Sequence, residues 1–200
     1  MIQAILFDVD GVVIFPRDKY FSQRLTEAGH HINESAVTEF FKNVYPEIVI
    51  GKKSLEEEVE AAKATWGLQM DVPTLLAFWF DYENKINEQI ITIASRLRGI
   101  GYACYLASDH SMWRGDNLWN VLGLRDYFEG MFLSADRGAT KHDPRFFEQV
   151  IERLELDPNE ILFIDDEVEN IETAQSVGLA TYNYIDFESF EIFIDELRHA

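Results

Sequence analysis

Four places in this 200-residue chain set chemically capable side chains just after short apolar runs. Asp8 and Asp10, followed by Gly11, close the run 2–7; Ser108 and Asp109 close 102–107; Asp165 and Asp166 close 161–164. Lys141 ends a loop at 138–141, after the run 131–133. Each has an ordinary structural reading by itself. Two Asp residues around a turn cap loops, Ser-Asp ahead of a helix is an N-cap, and Lys after Gly is normally solvated. Asp165 and Asp166 likewise suit the N-cap of a helix starting near Glu167. Gathered on one rim, the acids would repel one another unless a divalent cation sat among them, and an all-oxygen ligand set suits Mg²⁺.

The elements that would gather them are legible as an alternation. The runs 2–7, 102–107, 131–133, 161–164 and 180–184 are apolar on both faces, and helical patterns separate the last four. Such runs describe parallel strands covered on both sides, which places the chain in the α/β class. In open parallel sheets ligands bind beyond the carboxyl ends of the strands, where all of these residues fall. Between the first two runs no strand is expected. Helical patterns instead cover 18–29, 33–44, 54–66 and 72–82, with Ser54 and Glu57 in capping-box spacing, and a fifth over 84–98 leads back to the second strand. Residues 15–88 are thus expected to form a helical cap, and 1–14 with 89–200 the core. The aromatics Phe78, Trp79, Phe80 and Tyr82 read as the cap's own core, the usual role of helical aromatic stripes.

Composition narrows the partners. With 17 Lys and Arg against 36 Asp and Glu, the formal charge is -19, and neither nucleic acid nor an anionic membrane is expected to bind a chain without a basic footprint. Fifteen Phe, eight Tyr and four Trp exclude a disordered chain, and no apolar run reaches the ~18 residues of a membrane span. The start carries no basic leader, and the lone Cys104 cannot form an internal disulfide, so a cytoplasmic location is expected. Oligomeric state is not legible.

In this order and spacing the motifs resemble the haloacid dehalogenase-like (HAD) hydrolase superfamily across essentially the whole chain. Asp-x-Asp-Gly stands in FDVDGVV at 7–13, the strand ending in Ser in CYLASD ending at Ser108, the Lys ahead of a helix in GATKHDPRFF at 138–147, and the acidic pair in FIDDEVENI at 163–171. The helical insert is similar to the small cap of the branch that includes sugar-phosphate phosphatases such as α-D-glucose-1-phosphate phosphatase. Two positions depart from the usual pattern: His142 stands where Pro is common, and Asp109 where Asn is common. His142 reads as a loop residue replacing that Pro or as a phosphate contact.

The resemblance implies a Rossmann-like parallel sheet covered by helices, with a small all-helical cap inserted after strand one. It also implies a Mg²⁺-dependent phosphatase acting on a small phosphorylated metabolite, with a sugar phosphate as the first guess. In that pattern Asp8 is the nucleophile that forms an aspartyl-phosphate, Asp10 the acid that protonates the leaving alcohol, and Lys141 the second positive charge beside Asp8. The metal set is Asp8, Asp166, Asp165 and Asp10 through its carbonyl; the substrate set is Ser108, Asp109, Lys141 and Arg17. Arg17 and Lys19 either offset the repulsion of an anionic substrate or are solvated charges at a helix start. Asn170 either orients a metal-bound water or Lys141, or is solvated helix polarity. A phosphomutase is the alternative; a haloacid dehalogenase, which would lack Asp10, and a non-catalytic phosphate-binding protein are further ones.

Overall fold

The computed structural model describes residues 1–197. Strands β1 (Ala4–Asp8), β2 (Ala103–Ser108), β3 (Gly130–Leu133), β4 (Ile161–Asp165) and β5 (Ala180–Asn183) form one parallel sheet in the order β3-β2-β1-β4-β5. Because successive side chains of a strand point to opposite faces, β1 feeds two cores at once. Ile5 and Phe7 pack with Ile90, Ala94 and Leu97 of α6 (Glu88–Gly99) and with Phe190 and Ile194 of α11 (Phe187–Leu197). Ala4 and Leu6 pack on the other face with Phe146 and Phe147 of α9 (Pro144–Leu154) and Ala174 of α10 (Val168–Ser176). Every residue of β1 and β4 is buried, as parallel strands covered on both sides must be.

Between β1 and β2 lie α1 (Phe21–Glu27), α2 (Glu34–Asn43), α3 (Tyr45–Ile48), α4 (Leu55–Ala62) and α5 (Val72–Asp81). Their starts follow the local code: Asn33, Ser54 and Asp71 each accept a hydrogen bond from the backbone N–H three residues on. These helices share their own apolar cluster, including Phe21, Phe40, Trp66, Leu75 and Trp79, separate from the two sheet cores.

Three differences from the sequence reading have local causes. The single turn α3, opened by Tyr45-Pro46, has too few residues to show a period. The first helix starts at Phe21 rather than near 18, because Asp18 is engaged by the Tyr82 hydroxyl and the Tyr20 N–H by Gln23. The helix expected from 84 starts at Glu88 because the segment before it pairs with the chain leaving β1. The Phe15 N–H donates to the Lys85 carbonyl at 2.9 Å and the Asn87 N–H to the Val13 carbonyl at 2.8 Å. That two-stranded crossing ties both ends of the helical segment to the sheet.

Two further contacts bridge the helical unit and the sheet domain. The Ser134 hydroxyl, in α8 (Ser134–Arg137), donates to the Val49 carbonyl. Arg114, in α7 (Met112–Asp116), is fully buried with its guanidinium 4.7 Å from the Phe80 ring centre. It donates to Asn84 Oδ1 at 2.5 Å, Asn117 Oδ1 at 2.8 Å and the Glu83 carbonyl at 3.0 Å.

Candidate active site

Strand register converts the separated motifs into one site. Asp8 lies opposite Ala107 on β2, so Ser108 is the next residue out; Phe7 lies opposite Ile164 on β4, so Asp165 flanks Asp8 on the other side. The loop after α8 leaves through Gly138 in the left-handed region, φ 69°, and brings Lys141 back over these strand ends. The Lys141 ammonium donates to Asp8 Oδ1 and to Asp165 Oδ2, the latter at 2.8 Å. Lys141 and Asp8 are each 4% exposed and Asp165 is fully buried.

Asp165 is held on every side. Its Oδ1 accepts from the Glu167 N–H at 2.7 Å, its Oδ2 accepts from Asn170 Nδ2 at 3.1 Å as well as from Lys141, and its carbonyl accepts from Asn183 Nδ2. Asn170 is buried, so it is not solvated helix polarity; it orients the carboxylate that in turn holds Lys141. Asp109 reaches across to the lysine loop. Its carboxylate oxygens accept from the Lys141 backbone N–H at 3.0 and 3.2 Å, so it fixes the lysine loop. His142 is half-exposed and faces Glu167 and Glu169 at 3.9 and 3.8 Å, while Lys19 pairs with Glu27.

Burial governs the charges. It holds the Asp8 carboxyl above its ordinary range against the pull of Lys141, with Asp165 adding to the rise, and it raises Asp166 in the same way. Burial opposes the Lys141 ammonium too, but Asp8 and Asp165 outweigh it and push that group up, so it stays protonated. For Asp10, burial is outweighed by His110, Arg114 and Arg17, and the carboxyl lies well below its usual range. His110 Nε2 is 3.2 Å from Asp10 Oδ2. His110 carried no motif signal; only its place two residues beyond Ser108 hinted at the site.

The acids fit a divalent cation. Asp8, Asp165 and Asp166 each offer an oxygen, all within 4.8 Å of one another, and a cation would relieve the repulsion that Lys141, shared by Asp8 and Asp165, leaves among them. Gly11 makes room for the third acid. A Cβ on Gly11, whose φ is +102°, would lie 2.3 Å from Asp166 Oδ2.

A cavity of about 530 Å³ lies against the helical unit and reaches the sheet domain at His110, the partner of Asp10. Phe21, Phe41, Tyr45 and Trp79 wall it, Glu83 and His110 contribute polar groups, and Arg17, 48% exposed, also lines it. Trp79 therefore does two things: it packs in the core of the helical unit, as its stripe suggested, and it faces the cavity. A wider concavity of about 860 Å³ lies at the opposite, amino-terminal end of the strands, lined by Gln3, Tyr102 and Leu156, away from the acids.

The chain resembles known proteins over most of its length. It is 26% identical over 193 residues to D-ribitol-5-phosphate phosphatase of Bacteroides thetaiotaomicron, covering 91% of each. Its fold matches that of a HAD family enzyme from Bacteroides thetaiotaomicron, solved in complex with magnesium and inorganic phosphate, with a TM-score of 0.78 at 23% identity over 92% of this chain and 95% of that one. It also matches a HAD-like hydrolase structure from Porphyromonas gingivalis with a TM-score of 0.81 at 23% identity, covering 100% and 99%. The sequence fits the haloacid dehalogenase-like hydrolase family over residues 2–178, and with that extent of agreement the chain belongs to this family.

Proposed function

We propose that the protein is a Mg²⁺-dependent phosphatase that hydrolyses the phosphate monoester of a small metabolite through an aspartyl-phosphate on Asp8. The observation that carries this reading is the Lys141 ammonium lodged between Asp8 and Asp165, with Asp166 alongside. A phosphate monoester already carries negative oxygens, so a carboxylate can attack it only where positive charge is concentrated. Asp8 and Asp166, with the Asp10 carbonyl, would hold Mg²⁺, and Asp165 completes the acidic cluster while fixing Lys141. When bound, the ion neutralises charge on the phosphate and on the acids around it.

An Asp8 oxygen forms a bond to phosphorus as the ester oxygen leaves. The Asp10–His110 pair delivers the proton that the leaving alcohol needs, and Asp10 then takes a proton from the water that attacks the aspartyl-phosphate. That second step releases phosphate and restores Asp8. Ser108, buried beside Asp8 at the end of β2, holds the transferring oxygens together with Lys141. Asp10 separates this reading from a dehalogenase, since carbon–halogen cleavage has no alcohol to protonate.

For the substrate we favour a sugar or polyol phosphate. Support comes from the relative named for D-ribitol-5-phosphate, from the size of the cavity and from its aromatic walls, which suit the apolar face of a polyhydroxylated chain or ring. Residues 15–88 act in this reading as a cap supplying the alcohol site, and 1–14 with 89–200 as the core supplying the phosphate site. A cytoplasmic setting rests on the single, buried Cys104; among the described residues no helix is long and apolar enough to cross a membrane.

The test is inorganic phosphate release from a panel of sugar, polyol, nucleotide and aryl phosphates with Mg²⁺. Release from the sugar or polyol members is expected. No release from any ester would overturn the reading, and transfer of the phosphate to another position of a sugar would replace it with a mutase.

A further inference from the structure

The cavity places an unusual charge where the alcohol part of a substrate must lie. Its lining includes His110, whose imidazole touches Asp10, the acid that must reach the leaving oxygen. The alcohol beyond that oxygen therefore extends along Trp79, Tyr45 and Phe41 towards Glu83. Glu83 is 8% exposed, and its Oε1 accepts from Trp79 Nε1 at 3.2 Å, which fixes the carboxylate at the cavity wall.

Three basic side chains bear on Glu83: Arg17, Arg114 and His110, the last with its Nε2 3.2 Å from Asp10 Oδ2. Arg17 lines the cavity, but its Nη1 already faces Glu83 Oε1 at 3.8 Å and half of its side chain is in solvent. Arg114 donates to Asn84, Asn117 and the Glu83 carbonyl and stacks on Phe80, so its fork is committed to holding the helical unit on the sheet domain. Lys141 is committed to Asp8 and Asp165. Burial first, then Glu83 and Asp10, raise the Tyr45 phenol, while Arg17 and Arg114 pull it the other way. Glu83 has one donor in Trp79 and one ion-pair partner in Arg17, and a second anion brought beside this buried carboxylate meets its repulsion at short range and low dielectric.

We infer that Glu83 confines the enzyme to phosphate monoesters whose alcohol part carries no second negative charge, accepting a hydrogen bond from a hydroxyl or amine of that alcohol. This rests on the phosphatase reading and deepens it. Discrimination comes from repulsion of the wrong partner as well as attraction of the right one. Sugar acid phosphates and bisphosphates are the excluded class.

Matched pairs test it: glycerol 3-phosphate against 3-phosphoglycerate, and glucose 6-phosphate against 6-phosphogluconate, with an aryl phosphate alongside. Phosphate release in Mg²⁺ should favour the neutral member of each pair by at least about tenfold in kcat/KM. Glu83→Gln, which keeps an acceptor for Trp79, should narrow that ratio by raising the acid member. Arg17→Ala, at a half-exposed position that does not endanger folding, should widen it. Equal turnover of both members by the wild type, or ratios unmoved by both variants, overturns the inference while leaving a phosphatase that turns over the aryl ester. No release from any ester, the aryl phosphate included, overturns the phosphatase reading and this inference with it.

Discussion

Gly11 and Asp166 lie so close that no side chain fits between them. A Cβ on Gly11 would come within 2.6 Å of three atoms of the Asp166 carboxyl group, and the backbone of Gly11, at φ +102°, is one that other residues adopt only under strain. Gly11→Ala should therefore displace the third acid of the cluster. We expect the Mg²⁺ concentration for half-maximal activity to rise at least about tenfold, read from a Mg²⁺ titration of phosphate release. An unchanged titration would remove Asp166 from the metal set.

Removing the metal should silence the enzyme and loosen it. One oxygen each of Asp8, Asp165 and Asp166 converge within 4.8 Å, and the single Lys141 ammonium, shared by Asp8 and Asp165, offsets only part of their repulsion without a metal cation. In chelator, activity should fall to background and return on adding Mg²⁺. The melting temperature should rise with Mg²⁺, because an ion that binds only the folded state stabilises it by mass action. Full turnover in chelator would refute the metal assignment.

Asp8 and Asp10 are two residues apart yet are given different work. Asp8→Asn should abolish turnover of every ester, because no covalent step remains. Asp10→Asn should harm alkyl phosphates, whose leaving groups need a proton, by at least about tenfold more than activated aryl phosphates. Loss of both substrate types in the same proportion in the two variants would show the roles to be misassigned.

Asp109 acts through Lys141 by accepting from its backbone N–H at 3.0 and 3.2 Å. Asp109→Ala should lower kcat by about tenfold with little change in KM, since a misplaced ammonium costs the reaction more than it costs binding. Asp109→Asn, which retains an acceptor oxygen, should recover most of that loss. Failure of Asn to rescue would argue for a direct contact with substrate.

Arg114 joins the helical unit to the sheet domain from a fully buried position. Arg114→Ala strips partners from Asn84, Asn117 and the Glu83 carbonyl and leaves a void beside Phe80, so a loss of about 3 kcal/mol or more is expected in denaturant unfolding. Arg114→Lys should recover little, because one ammonium cannot span the same fork of acceptors.

The apolar runs, the capping-box spacing at Ser54 and Glu57, and the acids closing the strands are all local signals, and from them the sheet, most of the helices and the residues that meet at the strand ends were legible. Asp8, Ser108, Lys141 and Asp165 converge because parallel strands in this order leave the same edge, a consequence of topology that the alternation of apolar runs already implies. Other features depend on what is adjacent only after folding. The helix after Glu88 begins late because residues 85–87 satisfy their backbone groups against 13–15, a pairing between segments some 70 positions apart. His110 against Asp10 and Glu83 beside Trp79 belong to no motif, and Asn170, though within 163–171, has the same sequence signature as a solvated Asn: a lone His, Asn or Glu reads alike whether it faces water or a buried partner. Asp109 could be read from its spacing as a substrate contact, yet its carboxylate meets the Lys141 amide, because the return path of the loop after β3 is set by tertiary packing and not by the residues beside Ser108.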